Sequence, residues 1–441
     1  MPEVLLPVEQ PAAMGWMGML RARLADEGSG EIVALYAVHA ATIAAPLAIV
    51  PYASRVLGPE HWGVYSIFHS LALYSSMLME YGFNLSATRE VAKMRESRPE
   101  RARLLADVFS AKLMLGGVLL LLLLAAAHYA PILKGRPDLM TGAALFALGQ
   151  GASMVWYFQG TARVRSIAGL EIGGRVLAIG LTFFAVHRPA DAWLLLAING
   201  FALVLVAALS SAMAVADSGF VRPSLGGAMR TLKDGFSLFI FRGAVSLYTL
   251  ANSFVLGMLA PPAAVGFFAG AERINKGLIG FLNPLIQAYY SRLSHAATGP
   301  KKEFLKLQRR SMYAVVGVGL VLGTFIFLAA PLLVTVVLGP GYAPAVRVLR
   351  ILALLAPLSA ISSTLGVHGL LPLGRDRMFN TVIILAGFLN LALAASLATR
   401  WQHEGMSIAV VSTECFVALA FLADMYRTRT QAGNESEAEA V

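Results

Sequence analysis

IVPYASRVLGPEHWGVYSIF, residues 49–68, closes one long apolar segment, turns at Gly58-Pro59 and opens a second at Trp62-Gly63-Val64-Tyr65. A weaker copy, LAPPAAVGFF, occupies residues 259–268. Setting Gly63 on Gly266 pairs Pro59 with Pro262 and Tyr65 with Phe268, an offset of 203 residues in a chain of 441. The chain therefore reads as one lobe written twice, the plan on which many transporters are built.

Outward from this turn the composition fixes the class. Hydrophobic residues make up 57% and charged residues 14%, with a mean hydropathy of +0.69; soluble domains spend about 25% on charges. The apolar residues fall in blocks of roughly the 20 residues that cross a bilayer as helix. The fold class is an all-α polytopic membrane protein. A lone cysteine, Cys415, excludes an intramolecular disulfide.

Twelve blocks are expected, six on each side of a central connection at 217–234. The expected organisation is an N-terminal extension (1–30), a first lobe (31–216), that connection, a second lobe (235–426) and a disordered tail (427–441). Met14–Leu24 reads as a short interfacial helix, with a disordered segment as the alternative. Thr161–Arg175 reads as a basic loop, with the fifth block starting near Arg175 or as early as Ile167. With the N-terminus cytoplasmic, twenty-four of the 35 Lys and Arg fall on the inner side and seven on the outer. This imbalance places both termini inside. The net charge of +10 is then topology, and nucleic-acid binding is a poor reading.

Ionisable residues within a span each cost about 2.5–3.5 kcal/mol and need a reason. The strongest cluster is Ala271-Glu272-Arg273-Ile274-Asn275-Lys276 in the eighth block. Arg273 and Lys276 share a helical face. Glu272 lies about 100° to the side, where it tempers the cluster or takes part in ion coupling. A cation-lined cavity competes here with snorkelling to head groups. Arg242 and Arg55 are further cationic candidates; Arg55 serves either substrate or carbonyls freed by a break at Pro51. Pro46, Pro51 and Pro284 are the candidate kinks. Lys112 is weighed lower because it could reach the inner surface. His39 and His368 are more simply packed than cavity-lining, and Asp424 is interfacial near Arg427. No metal-ligand spacing, P-loop or hydrolase signature is present, so no metal, cofactor or enzymatic chemistry is expected; proton or sodium coupling stays open.

Pro51-Tyr52-Ala53-Ser54-Arg55-Val56-Leu57-Gly58, Gly63-Val64-Tyr65 and the run Tyr81–Glu90 together resemble the first hairpin of Wzx-type polysaccharide flippases. Ala251–Gly257 and Gly266–Ile274 extend the likeness into the second half. These flippases form a branch of the multidrug/oligosaccharidyl-lipid/polysaccharide exporter superfamily. The resemblance implies two six-helix lobes in a V around a central cavity, in the cell inner membrane. It implies flipping of undecaprenyl-pyrophosphate-linked oligosaccharide from the cytoplasmic to the periplasmic leaflet for surface polysaccharide such as O-antigen or exopolysaccharide. Its partners would be the lipid-linked oligosaccharide, membrane lipids, a polysaccharide polymerase and a chain-length regulator. The physical reading is compatible: unpaired Arg273 and Lys276 would hold a pyrophosphate through charge-assisted bonds. Three rivals are a multidrug or cation antiporter of the same fold, which would place buried carboxylates in its cavity; a membrane glycosyltransferase or polymerase; and a non-transport scaffold or receptor, which would not explain the half-chain repeat.

Overall fold

The computed structural model describes residues 27–438, with some side chains in 27–47 and 237–248 and those beyond 427 excepted. The Met14–Leu24 segment thus lies outside the described residues. The described residues contain fifteen α-helices, short 3-10 turns and one π-helical turn, and no strand. In chain order these are α1 (Glu27–Glu80), α2 (Phe83–Lys93), α3 (Arg98–Tyr129), α4 (Pro137–Gly151), α5 (Val155–Gly160), α6 (Val164–Ala185), α7 (Ala192–Ser218) and α8 (Leu225–Leu250). There follow α9 (Asn252–Leu259), α10 (Pro262–Ile279), α11 (Asn283–Ala296), α12 (Lys301–Val337), α13 (Ala345–Leu352), α14 (Leu355–Ser362) and α15 (Asp376–Ala438).

Two of these helices are hairpins. In α1 the one residue off helical geometry is Gly58, at φ 67° and ψ 170°. That region is open essentially to glycine alone, so Gly58 places the turn. Thr42 and Glu80 line the same pocket; a straight helix would hold them roughly 57 Å apart. Pro51 has helical geometry, so the break expected there is absent, and Pro46 lies outside the described side chains. In α15 the turn falls at Trp401-Gln402, and Asn390 in one arm faces Thr413 in the other at 3.4 Å. The last helix runs to Ala438, so the segment read as a disordered tail is helical that far.

Counting each hairpin twice, and joining helices interrupted within one crossing, gives twelve spans in two six-helix lobes around a central cavity. Seven stretches satisfy length and composition alone. The seventh and eighth crossings are not among them. The eighth carries Glu272, Arg273 and Lys276, which face the cavity rather than lipid. The fifth crossing starts at Val164, so Arg175 is not a loop residue. Its charge is tolerated because Glu171, one turn earlier, pairs with it at 2.9 Å.

The hydrophobic cores show how the halves meet. One continuous core near the hairpin turns joins Leu57, Trp62 and Phe68 of the first half to Val265, Phe268, Leu338 and Leu349 of the second. Toward the termini the cores separate: one is built around Phe83, Trp156 and Tyr157, another around Leu365, Ile383 and Phe421. The molecule is sealed on the hairpin face and divided on the termini face. The start of α8 packs on the first half, with Ala228 in its core and Phe239 stacked on Tyr81 at 4.4 Å.

The seal has two-fold character. A methyl group added to Gly63 would collide with the carbonyl of Pro262, and one on Gly266 with the carbonyl of Pro59. The two repeated hairpins therefore cross glycine on glycine, backbone against backbone. Ser54 Oγ donates to the Leu338 carbonyl at 3.2 Å, and Tyr342 OH to the Ser54 carbonyl at 3.0 Å. Arg55 donates to the Val336 carbonyl and packs over Gly339. Arg55 thus ties the two halves together at the seal, rather than serving carbonyls of its own helix.

Candidate functional site

A cavity of about 820 Å³ lies between the halves, beneath the seal. Its wall takes residues from both arms of α1, from α4, α6 and α7, and from α8–α10. Three acids (Glu80, Glu171, Glu272) and three bases (Arg175, Arg273, Lys276) line it. The expected excess of basic charge is therefore absent from this wall; what distinguishes the bases is how they are paired.

Lys276 is not uncompensated. Its Nζ lies 2.9 Å from Glu272 and also donates to the Thr249 carbonyl at 3.1 Å. The spacing 272 to 276 is one helical turn, which brings the two side chains together. The Thr249 carbonyl sits where the seventh crossing breaks between α8 and α9, one of the backbone groups an interrupted membrane helix must satisfy. Lys112 plays the same part at the break between α4 and α5: it is buried and donates to the Ser153 carbonyl at 2.9 Å. It does not reach the surface.

Arg273 is different. Among the described residues no carboxylate pairs with it. Its guanidinium lies over the Trp62 ring at 4.3 Å and the Tyr65 ring at 5.2 Å. Nη2 faces Nδ1 of His69 at 3.4 Å. Guanidinium only donates, so His69 must offer the lone pair on Nδ1 and carry its proton on Nε2. Arg273 comes from the second half and its three ring partners from the first. A cation–π contact of a half-buried guanidinium contributes about 0.5–2 kcal/mol, so this side chain helps hold the halves together directly under the seal. Ser66, also on the cavity wall, has a buried hydroxyl with no partner, and the buried Trp62 Nε1 has none either. A guanidinium without a carboxylate and an unused hydroxyl on the same wall are donors that an anion could take.

The remaining sequence candidates are placed as follows. Arg242 falls in α8, but its side chain lies outside the described residues, as does that of His39. Pro284 opens α11 directly after a 3-10 turn at Gly280–Leu282. At the first turn of a helix its missing donor costs nothing. His368 is fully buried in a π-helical turn, bonded to Ser311 at 2.6 Å and to the Ile286 carbonyl at 2.9 Å, so it is a packed residue. Asp424 accepts two hydrogen bonds from the Arg375 guanidinium, both 2.7 Å, in a bidentate pair that the sequence reading did not foresee. Sequence reasoning missed Trp62 as a partner of Arg273, and Tyr65, His69, Glu171 and Arg175 as wall residues. Only the last two carried a usable signal, their one-turn spacing.

The profile of the polysaccharide biosynthesis protein family matches residues 31–297. The chain belongs to this family. The family member "Putative O-antigen transporter" of Escherichia coli K12 is 31% identical over 398 residues, covering 89% of this chain and 95% of that protein. A protein of the same name from Shigella dysenteriae is 26% identical over 89% of this chain and 98% of its own length. The Wzx-type resemblance of the first hairpin is thereby borne out. Among solved structures, an inward closed lipid II flippase MurJ superposes with a TM-score of 0.71 at 12% identity, covering 90% of this chain and 87% of that one. An inward-facing multidrug MATE transporter gives 0.67 at 17% identity, covering 91% and 98%. An outward-facing MATE gives 0.53 at 15% identity, covering 93% and 98%. This member of the polysaccharide biosynthesis protein family thus has the same fold as these transporters.

The division of labour between the two cations is testable. Lys276→Met should lower transport only a few-fold, because it removes a helix-break cap and an ion pair, and Glu272→Gln should do less. Export measured at equal membrane protein checks this; a Lys276→Met defect equal to that of Arg273→Ala would restore Lys276 as a ligand.

Proposed function

We propose that this protein is a flippase that carries undecaprenyl-pyrophosphate-linked oligosaccharide repeat units from the cytoplasmic to the periplasmic leaflet by alternating access. The observation that carries this reading is Arg273: a cation on the cavity wall, without a carboxylate, whose present partners are aromatic rings across the lobe interface. Pyrophosphate entering from the termini face would take the guanidinium with charge-assisted bonds stronger than the ring contact. Substrate would thereby loosen the link beneath the seal, and binding and opening would be coupled at one side chain. The lobes 31–216 and 235–426 would rock about the glycine crossing, with Pro284 and the interrupted helices taking up the strain. Nearly balanced access states would need only a modest bias, supplied by substrate or by a proton or sodium gradient.

The reading places the protein in the inner membrane with both termini cytoplasmic, handing substrate to a polymerase and chain-length regulator, and assigns it transport rather than catalysis. Reporter fusions at Lys134 and His187 should then read periplasmic, and fusions at Arg98 and Lys301 cytoplasmic. A cytoplasmic reading at Lys134 would reverse the direction of transport. The functional experiment is restoration of surface polysaccharide in a flippase-null strain, normalised to protein in the membrane.

Glu80 and Glu171 on the same wall favour a second reading, export of organic cations by the same fold. It requires that a fluorescent cation be expelled by the wild type and retained by Glu80→Gln.

A further inference from the structure

A second, smaller pocket of about 250 Å³ lies next to the main cavity and belongs wholly to the first half. The two share Glu80, Gln150, Glu171 and Arg175 in their walls, so they adjoin. The smaller pocket adds Asn84 and Gln159, and no aromatic ring lines it. Its charged members are already fixed. Arg175 holds Glu171 at 2.9 Å, and the Asn84 amide donates to Glu80 at 3.1 Å. Gln150 and Gln159 have no side-chain partner among the described residues, so each offers a donor and an acceptor to the pocket.

We infer that this pocket is the sugar subsite of the transporter and that it recognises the hydroxyls of the residues nearest the lipid. The inference rests on the cavity being the path of a lipid-linked oligosaccharide. Hydroxyls both donate and accept; carboxylates accept, guanidinium donates, and amides do both. Held side chains of these three kinds around a small space recognise several hydroxyls with little ordering cost. The polyprenyl tail gains nothing from such a wall. Two acids, Glu80 and Glu171, stand against one base, Arg175, which is already paired, so this pocket disfavours pyrophosphate and directs it to Arg273 instead. The two ends of the cavity thus sort the two polar parts of one molecule. Specificity for the glycan belongs to the first half, and phosphate binding to α10 of the second.

The test compares binding of two probes to purified full-length protein: bare undecaprenyl pyrophosphate, and the same lipid carrying the oligosaccharide isolated from the host. Wild type should bind the glycosylated lipid at least about tenfold more tightly, the effect of one or two well-made hydrogen bonds. In Gln150→Ala, Gln159→Ala and the paired change Glu171→Gln with Arg175→Gln, the ratio should fall toward one while affinity for the bare lipid stays. Arg273→Ala should weaken both probes alike. A ratio unchanged in all three pocket variants overturns the subsite and leaves the phosphate reading intact. An undiminished affinity of Arg273→Ala for both probes overturns the phosphate reading, while the subsite is still judged by the ratio. The paired change replaces an ion pair by two neutral amides, so loss of the ratio there does not follow from a stranded charge.

Discussion

Arg273→Ala is expected to reduce polysaccharide export about 100-fold or more, with the protein still inserted and folded. The magnitude follows from losing two charge-assisted hydrogen bonds to phosphate oxygens, each contributing about 1.5–3 kcal/mol. Folding is spared because no carboxylate is left unpaired and the ring partners Trp62 and Tyr65 stay packed in the joint core. Arg273→Lys keeps the charge but loses the planar fork and the stacking on Trp62, so it should fall between alanine and wild type. Snorkelling to head groups would make lysine silent. It is also at odds with the position of Arg273, over rings buried in the core that joins the halves. Surface polysaccharide in a flippase-null strain reads all three variants.

Gly63→Ala should unseat the hairpin crossing. The new methyl meets the Pro262 carbonyl, a backbone atom that cannot swing aside, and Gly266→Ala meets the Pro59 carbonyl in the mirrored way. Overpacking of this kind costs about 1–3 kcal/mol, enough to shift a nearly balanced pair of access states about tenfold toward the open seal. The probe is a cysteine at Ser54, which is buried at the seal and bonded across it, in a Cys415→Ala background. Labelling by a membrane-impermeant maleimide from the periplasmic side should rise in both glycine variants. Gly117→Ala, with open space around its Cβ, should leave labelling unchanged. Equal labelling in all three would mean that the crossing does not control access.

Much of this fold was legible because bilayer insertion and helix period act locally. Gly58-Pro59 marked the first turn, and the 203-residue offset between Gly63 and Gly266 matched two hairpins that proved to be in contact. Nothing in the spacing foretold that the contact would be glycine on glycine. The site was legible only in part. Arg273 stood out as an intramembrane charge, but its ring partners lie more than 200 residues away, and no local pattern links Trp62 to it. The Glu272–Lys276 pair was written in the four-residue spacing; setting Glu272 beside its neighbour Arg273 obscured it. Arg175 was hidden for a related reason: a neutralised pair one turn apart looks like loop charge when each residue is weighed singly. Pro51 misled in the other direction, since the φ of about −65° that a proline imposes is itself helical and need not interrupt the helix.

The most direct test is reconstitution. Purified protein in sealed proteoliposomes, supplied with fluorescent undecaprenyl-pyrophosphate-linked oligosaccharide in one leaflet, should move it to the other far faster than protein-free vesicles. Arg273→Ala should lose that acceleration and Arg273→Lys should retain part of it. Wild-type vesicles no faster than empty ones, or Arg273→Ala vesicles as fast as wild type, would contradict the account.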